Sequence, residues 1–361
     1  MMSDGGLDRG QLGVLPRPVR LADESYLEFL ESFRDVLLTQ MFPAMAAAGH
    51  ARLQAAGLPL DDDALPLPTI QREFGKAPIV PSWQRFMRSQ QEMMWRRTRA
   101  SFAATAEAQL DWLAAADGAG PGRLIVDPDF AVPDYARREI HLQPGGYTDD
   151  PIGGIVYHYG TKVFYQGGND QDELHAELVD LTTPPADGRV ASVLDLGCSI
   201  GQGAIKLKLR FPDAEIWGLD VALPMVRYAH ARSAQQQVAV NFIQALAEDM
   251  PFADGQFDIV FAYILFHELP IDIIPAVLAQ VHRVLRPGGQ FVIFEFPSAS
   301  QHLPPAHRFM IDYDSRDNCE PYSLGFVHAD FRGLLAAAGF AVSDGPLSSN
   351  GFLQSIVATR P

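Results

Sequence analysis

The sequence predicts an α/β protein, with a largely parallel sheet in the C-terminal half preceded by a mainly helical N-terminal part. Two observations carry this. Beyond about residue 190, short apolar runs (ASVLDLG, AEIWGLD, VNFIQAL, FDIVFAYI, QFVIFEF) are interspersed with helical stretches, the pattern of strands covered on both faces. Before residue 156 the periodic stretches are helical, and proline- and glycine-rich segments separate them. A chain of 361 residues, 47% hydrophobic and 10% aromatic, can bury a sizeable core around such a sheet.

Taken in order, residues 1–20 read as a flexible tail. Residues 22–57 read as helix, interrupted near Pro43 and closing at Gly57. A proline-punctuated loop spans 58–68, and Ser82 is a candidate N-cap for a long helix that ends at Gly118. Residues 121–155 carry many prolines and glycines and are expected to wrap a surface. At the far end a helix stops at Gly339, and AVSD and FLQSIVAT are expected to pair as a terminal hairpin. The expected domains are therefore 1–20 (tail), 21–155 (helical cap or substrate region) and 156–361 (sheet domain).

Charge and cysteine content narrow the function. A net charge of −16 argues against a nucleic-acid partner, because phosphate backbones are held by lysine and arginine. Cys198 and Cys319 form no CxxC pair, so neither a zinc site nor a disulfide framework is indicated. The N-terminus lacks an apolar signal core. The most apolar long stretch, 257–285, is broken by Asp258, His267, Glu268, Pro270 and Asp272, which excludes a membrane span. A soluble, cytoplasmic protein is expected. HRFMIDYDSRDNCEPY (307–322) holds three aspartates, but Asp317 stands where a calcium loop needs glycine, and Ser323 where it needs glutamate. Calcium is rejected, no metal is expected, and a magnesium pair of Asp312 and Asp314 is kept only as an alternative.

The chemistry concentrates in VLDLGCSIGQG (193–203), an apolar run entering a glycine-rich turn and a helix. Such a turn is a ligand site in any open α/β sheet, since glycines let a ligand approach the backbone. A dinucleotide loop requires G-x-G-x-x-G, which cannot be drawn here because Lys206 stands three residues after Gly203; no G-K-[ST] follows either. Asp195 would repel a pyrophosphate, and it suits a ligand with a cationic or hydroxyl-bearing part. S-adenosyl-L-methionine has an ammonium and a ribose and carries no phosphate.

At this point the chain resembles the class I S-adenosylmethionine-dependent methyltransferases, closest in character to the ubiquinone/menaquinone-biosynthesis and small-molecule group. DLGCSIGQG is similar to that family's D-x-G-x-G-x-G loop, with Ser199 where glycine is commoner. WGLDVALPMVRYA resembles its second-strand segment, and Asp220 lies 25 residues after Asp195. ALAEDMPFADGQFDIVFAYILFHEL, VHRVLRPGGQFVIFEF and AAAGF follow in the family's order. The resemblance covers about 185–361 and implies a seven-stranded doubly wound Rossmann-like sheet with an antiparallel final hairpin.

The resemblance also implies a cofactor set. It comprises Asp195, Gly197, Cys198, Ser199 and Gly201 of the loop, Asp220 on the ribose, and Val221 and Met225. Asp249 would meet the adenine amine, Met250 would cover the ring, and Ala262 lies on the fourth strand. The implied product is S-adenosyl-L-homocysteine.

His267 directly follows the fourth strand, where ligands of such sheets bind, and could deprotonate an acceptor hydroxyl, with Glu268 orienting it. YHYGTKVFYQGGND (157–170) resembles the aromatic segment that closes over the sulfonium. The helix bearing Trp83, Phe86, Met87, Met93, Met94 and Trp95 reads as appendage core or as a lid on an apolar acceptor pocket. Arg96, Arg97 and Arg99 read as a solvated face. The expected function is methylation of an oxygen or carbon of a small, fairly apolar acceptor between core and cap, with no nucleic-acid or membrane partner. The alternative is a cofactor-binding protein without methyl transfer, acting through a protein partner. Homodimer formation is left open.

Overall fold

The structure is a computed structural model that describes residues 10–60, 65–299, 303–347 and 353–361. The tail expected over 1–20 lies outside it up to residue 9, as do parts of the 58–68 loop and Phe352 of the final strand. From residue 10 the chain is held: Val14 N–H donates to Gln171 Oε1 at 3.1 Å and Arg17 pairs with Glu24 at 2.9 Å.

The N-terminal part is helical. Helix α1 (Leu21–Val36) runs through one wide turn (Leu37–Met41) into α2 (Phe42–Ala55). The interruption expected near Pro43 is this turn, in which Phe42 N–H donates to Leu37 O five residues back; a proline in the following turn has no N–H to continue the regular ladder. Helix α3 (Leu67–Phe74) follows, then α4 (Ile79–Ala103) and α5 (Ala106–Ala116). The single helix expected over 82–117 is thus two. Thr105 leaves helical backbone at φ −125°, and the Phe102 carbonyl accepts from Thr105 N–H at 3.1 Å and from Gln109 Nε2 at 3.2 Å. Ser82 is not the cap. The helix begins earlier, after Pro78, and the Ser82 hydroxyl donates to Pro78 O at 2.9 Å inside the first turn.

The segment expected to wrap a surface contributes a strand, β1 (Arg123–Ile125), and two short 3-10 turns. Helix α6 (Gly153–Phe164) contains the expected domain break near 156, and α7 (Glu173–Asp180) leads to the sheet. There the alternation is as the sequence implies: β2 (Ser192–Leu196), α8 (Gln202–Arg210), β3 (Glu215–Asp220), α9 (Leu223–Gln235) and β4 (Asn241–Gln244). Next come β5 (Phe257–Tyr263), α10 (Ile274–Val284), β6 (Leu285–Glu295), α11 (Pro305–Asp317), α12 (Ser323–His328), α13 (Phe331–Ala337), β7 (Ala341–Asp344) and β8 (Gln354–Thr359).

The sheet has eight strands in the order β1-β4-β3-β2-β5-β6-β8-β7, one more than expected because β1 adds to the edge beside β4. Pairings from β1 to β6 are parallel, and β8 runs antiparallel to β6 and β7, so the terminal hairpin forms. The chain winds outward in one direction from β2 and in the other from β5. The crevice beyond the carboxyl ends of β2 and β5 is therefore the topological switch point, where ligands of open sheets bind.

Strand alternation splits the core. Leu194, Leu196 and Val260 pack with α10 and α13 on one face, while Val193, Ile259 and Phe261 pack with α7 and α8 on the other. A third cluster joins Leu27, Met94, Trp95 and Tyr159 to Ile200 and Met225 beside the glycine loop. A fourth joins Trp83 and Met87 to Phe309 and Tyr313 of α11. The helical part is therefore seated over the switch point by apolar packing. Among the described residues no helix is long and apolar enough to cross a membrane.

Candidate active site

The loop after β2 is built by its backbone. Gly197 and Cys198 N–H both donate to Leu219 O, at 2.9 and 3.0 Å, and Gly197, Ser199 and Gly201 take left-handed φ of 72°, 46° and 77°. Ser199 adopts a left-handed conformation that favours glycine, as the D-x-G-x-G-x-G loop that it resembles would supply. Ser199 N–H donates to Asp220 Oδ2 and Ala222 N–H to Asp220 Oδ1, each at 2.9 Å. Asp220 thus ties the two strand ends together, and each oxygen keeps a further lone pair for a ligand hydroxyl. Burial pushes its carboxyl up to about 6.

Asp195 is 3% exposed, and its Oδ2 has no hydrogen-bond partner among the described residues. Burial pushes its carboxyl up to about 7, against a lowering by the Ala204 N–H. A side chain at Gly203 would place its Cβ 2.7 Å from that oxygen, so this glycine reserves space for the carboxylate. The loop glycines therefore serve the protein's own packing as well as ligand approach.

This loop opens into a cavity of about 430 Å³ that extends under the N-terminal helices. Of the residues expected to bind cofactor, Asp195, Gly197, Cys198, Ser199, Asp220, Val221 and Met225 line it, and so does His267. Gly201 does not. Its Cβ position lies 2.8 Å from Ala229 and Phe242, behind the loop. Asp249 is exposed and Met250 is 3% exposed in the sheet core; neither lines the cavity. Arg283 Nη2 donates to Met250 O at 2.8 Å, tying this turn to α10, and Ala245 and Ala247 form the wall instead. Ala262 also points away: Phe261 sits beside Asp195 in the parallel register, so Phe261 and Tyr263 face the cavity and Ala262 the opposite core. Cys198 is buried and its thiol is pushed far up by that burial, which leaves it a packing residue.

Of the aromatic segment on α6, Tyr157, Phe164 and Tyr165 line the cavity. His158 and Tyr159 face away; His158 Nδ1 bonds Tyr228 Oη at 2.8 Å, and Tyr159 packs on Phe102. Trp83, Met87 and Trp95 reach the cavity from α4, whereas Phe86 and Met93 are exposed. Arg96 is exposed, but Arg97 and Arg99 pair with Asp23 and Asp150, both at 2.8 Å. Asp312 and Asp314 diverge on α11: Asp312 bonds Gln71 and Arg316, whereas Asp314 lines the cavity. No metal-holding cluster occurs among the described residues.

The polar centre contains groups that local sequence did not reveal. His267, 1% exposed, places Nδ1 2.9 Å from Glu295 Oε1 and packs edge-on against Phe296. Burial alone would lower its pKa, but Glu295, with Glu268 and Glu320, outweighs it and the net shift is upward. Glu268 does not orient His267 by a bond. It accepts from Tyr147 Oη at 3.3 Å, and His141 Nε2 lies 3.1 Å away. His141 Nδ1 is also 3.0 Å from Glu320 Oε1. Against its burial, these carboxylates raise the imidazole to about 10, so it is a fixed cation. His141 has φ 57°, and its carbonyl accepts from Gln91 and Trp95, each at 2.8 Å.

Residues 193–289 match the methyltransferase domain family. An uncharacterized methyltransferase of Synechocystis is 33% identical, covering 46% of this chain and 74% of that one. A demethylmenaquinone methyltransferase of Thermus thermophilus is 33% identical, covering 45% and 79%. An O-methyltransferase of Penicillium expansum is 30% identical, covering 61% and 77%. The chain is a class I S-adenosylmethionine-dependent methyltransferase. The geometry fits that donor. An unsatisfied buried carboxylate oxygen suits the ammonium, the free lone pairs of Asp220 suit ribose hydroxyls, and the apolar wall of Val221, Met225, Ala245 and Ala247 suits a purine.

Proposed function

We propose that this methyltransferase methylates an oxygen or carbon of a small, fairly apolar acceptor enclosed between the sheet and the helical cap. The observation that carries the reading is the continuity of one cavity. It runs from Asp195 and Asp220 past His267 and Glu268 to Trp83, Met87 and Trp95 of the cap. In this reading residues 21–155 are the acceptor-side cap and 156–361 the cofactor domain. The demethylmenaquinone methyltransferase among its relatives acts on a molecule of this apolar class.

When bound, the sulfonium of S-adenosylmethionine offers an electrophilic methyl group. Asp195 holds the ammonium and Asp220 the ribose, while Val221 and Met225 flank the base. The rings of Tyr147 and Tyr157, packed edge to face at 5.5 Å, exclude water and favour a neighbouring cation. Excluding water and fixing the approach are most of what an in-line displacement needs.

His267 supplies the base. Its Nδ1 is committed to Glu295, and its Nε2 carries no hydrogen bond among the described residues and is free to take an acceptor proton. Because only neutral imidazole accepts a proton and its pKa is raised, turnover rises with pH on a limb above the ordinary histidine range. His267→Ala is expected to lower kcat about 100-fold with unchanged S-adenosylhomocysteine affinity. Glu295→Gln should move the limb to lower pH. Unaltered turnover in the alanine variant removes His267 from the chemistry.

A further inference from the structure

The inference concerns the cap end of the cavity and rests on reading that cavity as the acceptor site. Contacts order the cavity wall. Tyr157 meets Ser199 at the cofactor loop, Tyr147 packs on Tyr157 and bonds Glu268, Glu268 bonds His141, His141 packs on Phe164, and Arg34 covers Phe164. Arg34 therefore lies at the opposite end from the cofactor.

Arg34 is 5% exposed and its bonds are all to neutral groups. Nε donates to Phe164 O at 3.0 Å, Nη1 to Gln90 and Gln91 at 3.2 and 3.1 Å, and the guanidinium stands 4.0 Å from the Phe164 ring centre. Among the described residues no carboxylate pairs with it, and Nη2 makes no hydrogen bond. Burial lowers its pKa only to about 10, because Asp314 and, more weakly, Glu320 act on it through space without touching it, so the charge persists at neutral pH. A buried cation with no carboxylate in ion-pair contact is costly, and a ligand anion would relieve that cost.

Asp314, from α11, lines the same cavity and carries no hydrogen bond or ion pair on its carboxyl among the described residues. Burial and Glu320 push that carboxyl well above the usual range, against a lowering by Arg34, His141 and His267, and a carboxyl shifted in this direction favours the protonated form that can donate. Around these donors the wall is Trp83, Met87, Trp95 and Phe164. In a chain of net charge −16, Arg34 is the local basic element that an anionic substrate requires.

We propose that the acceptor carries a carboxylate, held by Arg34 and Asp314 at the cap end, on an apolar body that extends toward His267. The carboxylate is an anchor, distant from the atom that is methylated.

The test titrates two isosteric probes, 6-phenylhexanoate and 6-phenylhexanamide, into the full chain saturated with S-adenosylhomocysteine. The carboxylate is expected to bind at least tenfold tighter. Arg34→Gln should collapse the difference to under threefold while leaving S-adenosylhomocysteine affinity intact. Asp314→Asn should keep carboxylate affinity within threefold. Equal affinity of the two probes for the unmodified protein overturns the proposal whatever the variants do. Tenfold tighter carboxylate binding by Asp314→Asn also overturns it, by making Asp314 the counter-ion of Arg34. If neither probe binds the loaded protein, the acceptor-site reading itself fails, and this proposal with it.

Discussion

Replacing Asp172 by alanine is expected to lower stability by about 3–5 kcal/mol, because it strands a buried cation. Arg232 Nη2 donates to both Asp172 oxygens, at 3.1 and 2.8 Å, with side-chain exposures of 3% and 1%. Arg232 Nη1 also holds Ile200 O at 2.9 Å, and Gln202 Nε2 donates to Asp172. The pair thus joins α7, α9 and the first residue of α8 to the glycine loop. Burial alone would raise the Asp172 pKa, but Arg232 and Gln202 hold it down to about 2. A depressed acid contributes stability above its unfolded value of about 3.9 and loses it as pH falls toward the folded value. The variant's deficit should therefore be full at neutral pH and shrink in acid. Removing both charges, as in Asp172→Leu with Arg232→Met, should cost less than Asp172→Ala alone, measured by denaturant midpoints. An equal or larger loss in the double variant would mean that the pair stabilises by more than mutual compensation.

Asp220→Ala is expected to weaken S-adenosylhomocysteine binding about 1000-fold, roughly 4 kcal/mol. Two effects combine. The ligand loses an ionised acceptor, worth about 1.5–3 kcal/mol per hydrogen bond, and the loop loses the bonds from Ser199 and Ala222 that shape it. Calorimetry at fixed pH checks this. Affinity within fivefold of the unmodified protein would remove Asp220 from the cofactor site.

The sheet and the glycine-loop end of the cavity were legible because their determinants are local, whereas Gly201, Asp249, Met250 and Ala262 lie off the cavity wall. Strand, turn and helix follow within VLDLGCSIGQG, Asp220 ends β3, and His267 stands in the short turn Phe266–Glu268 that follows β5. The cap end was not legible. Arg34 sits in LADESYLEFLESFRDV, where a cation on an amphipathic helix reads as surface; only packing of α1 against α4 and α6 buries it. His141 takes a left-handed conformation with no glycine or asparagine to announce it. Its carboxylate partners come from residues 268 and 320, a convergence that only the tertiary fold creates. The orientation of Ala262 could have been read from strand alternation with Phe261 and Tyr263. Strand β1 was missed because RLI is too short to show a period amid prolines and glycines.

The central claim is that the enclosed cavity holds the methyl acceptor. Its most direct test incubates the full chain with methyl-labelled S-adenosylmethionine and a whole-cell extract, then separates low-mass organic-soluble products from protein and nucleic acid. The account predicts label in the low-mass fraction. It also predicts that Met87→Trp, which fills the cap end, abolishes that label and leaves S-adenosylhomocysteine affinity within threefold. Label confined to protein or nucleic acid, and indifferent to Met87→Trp, would contradict it.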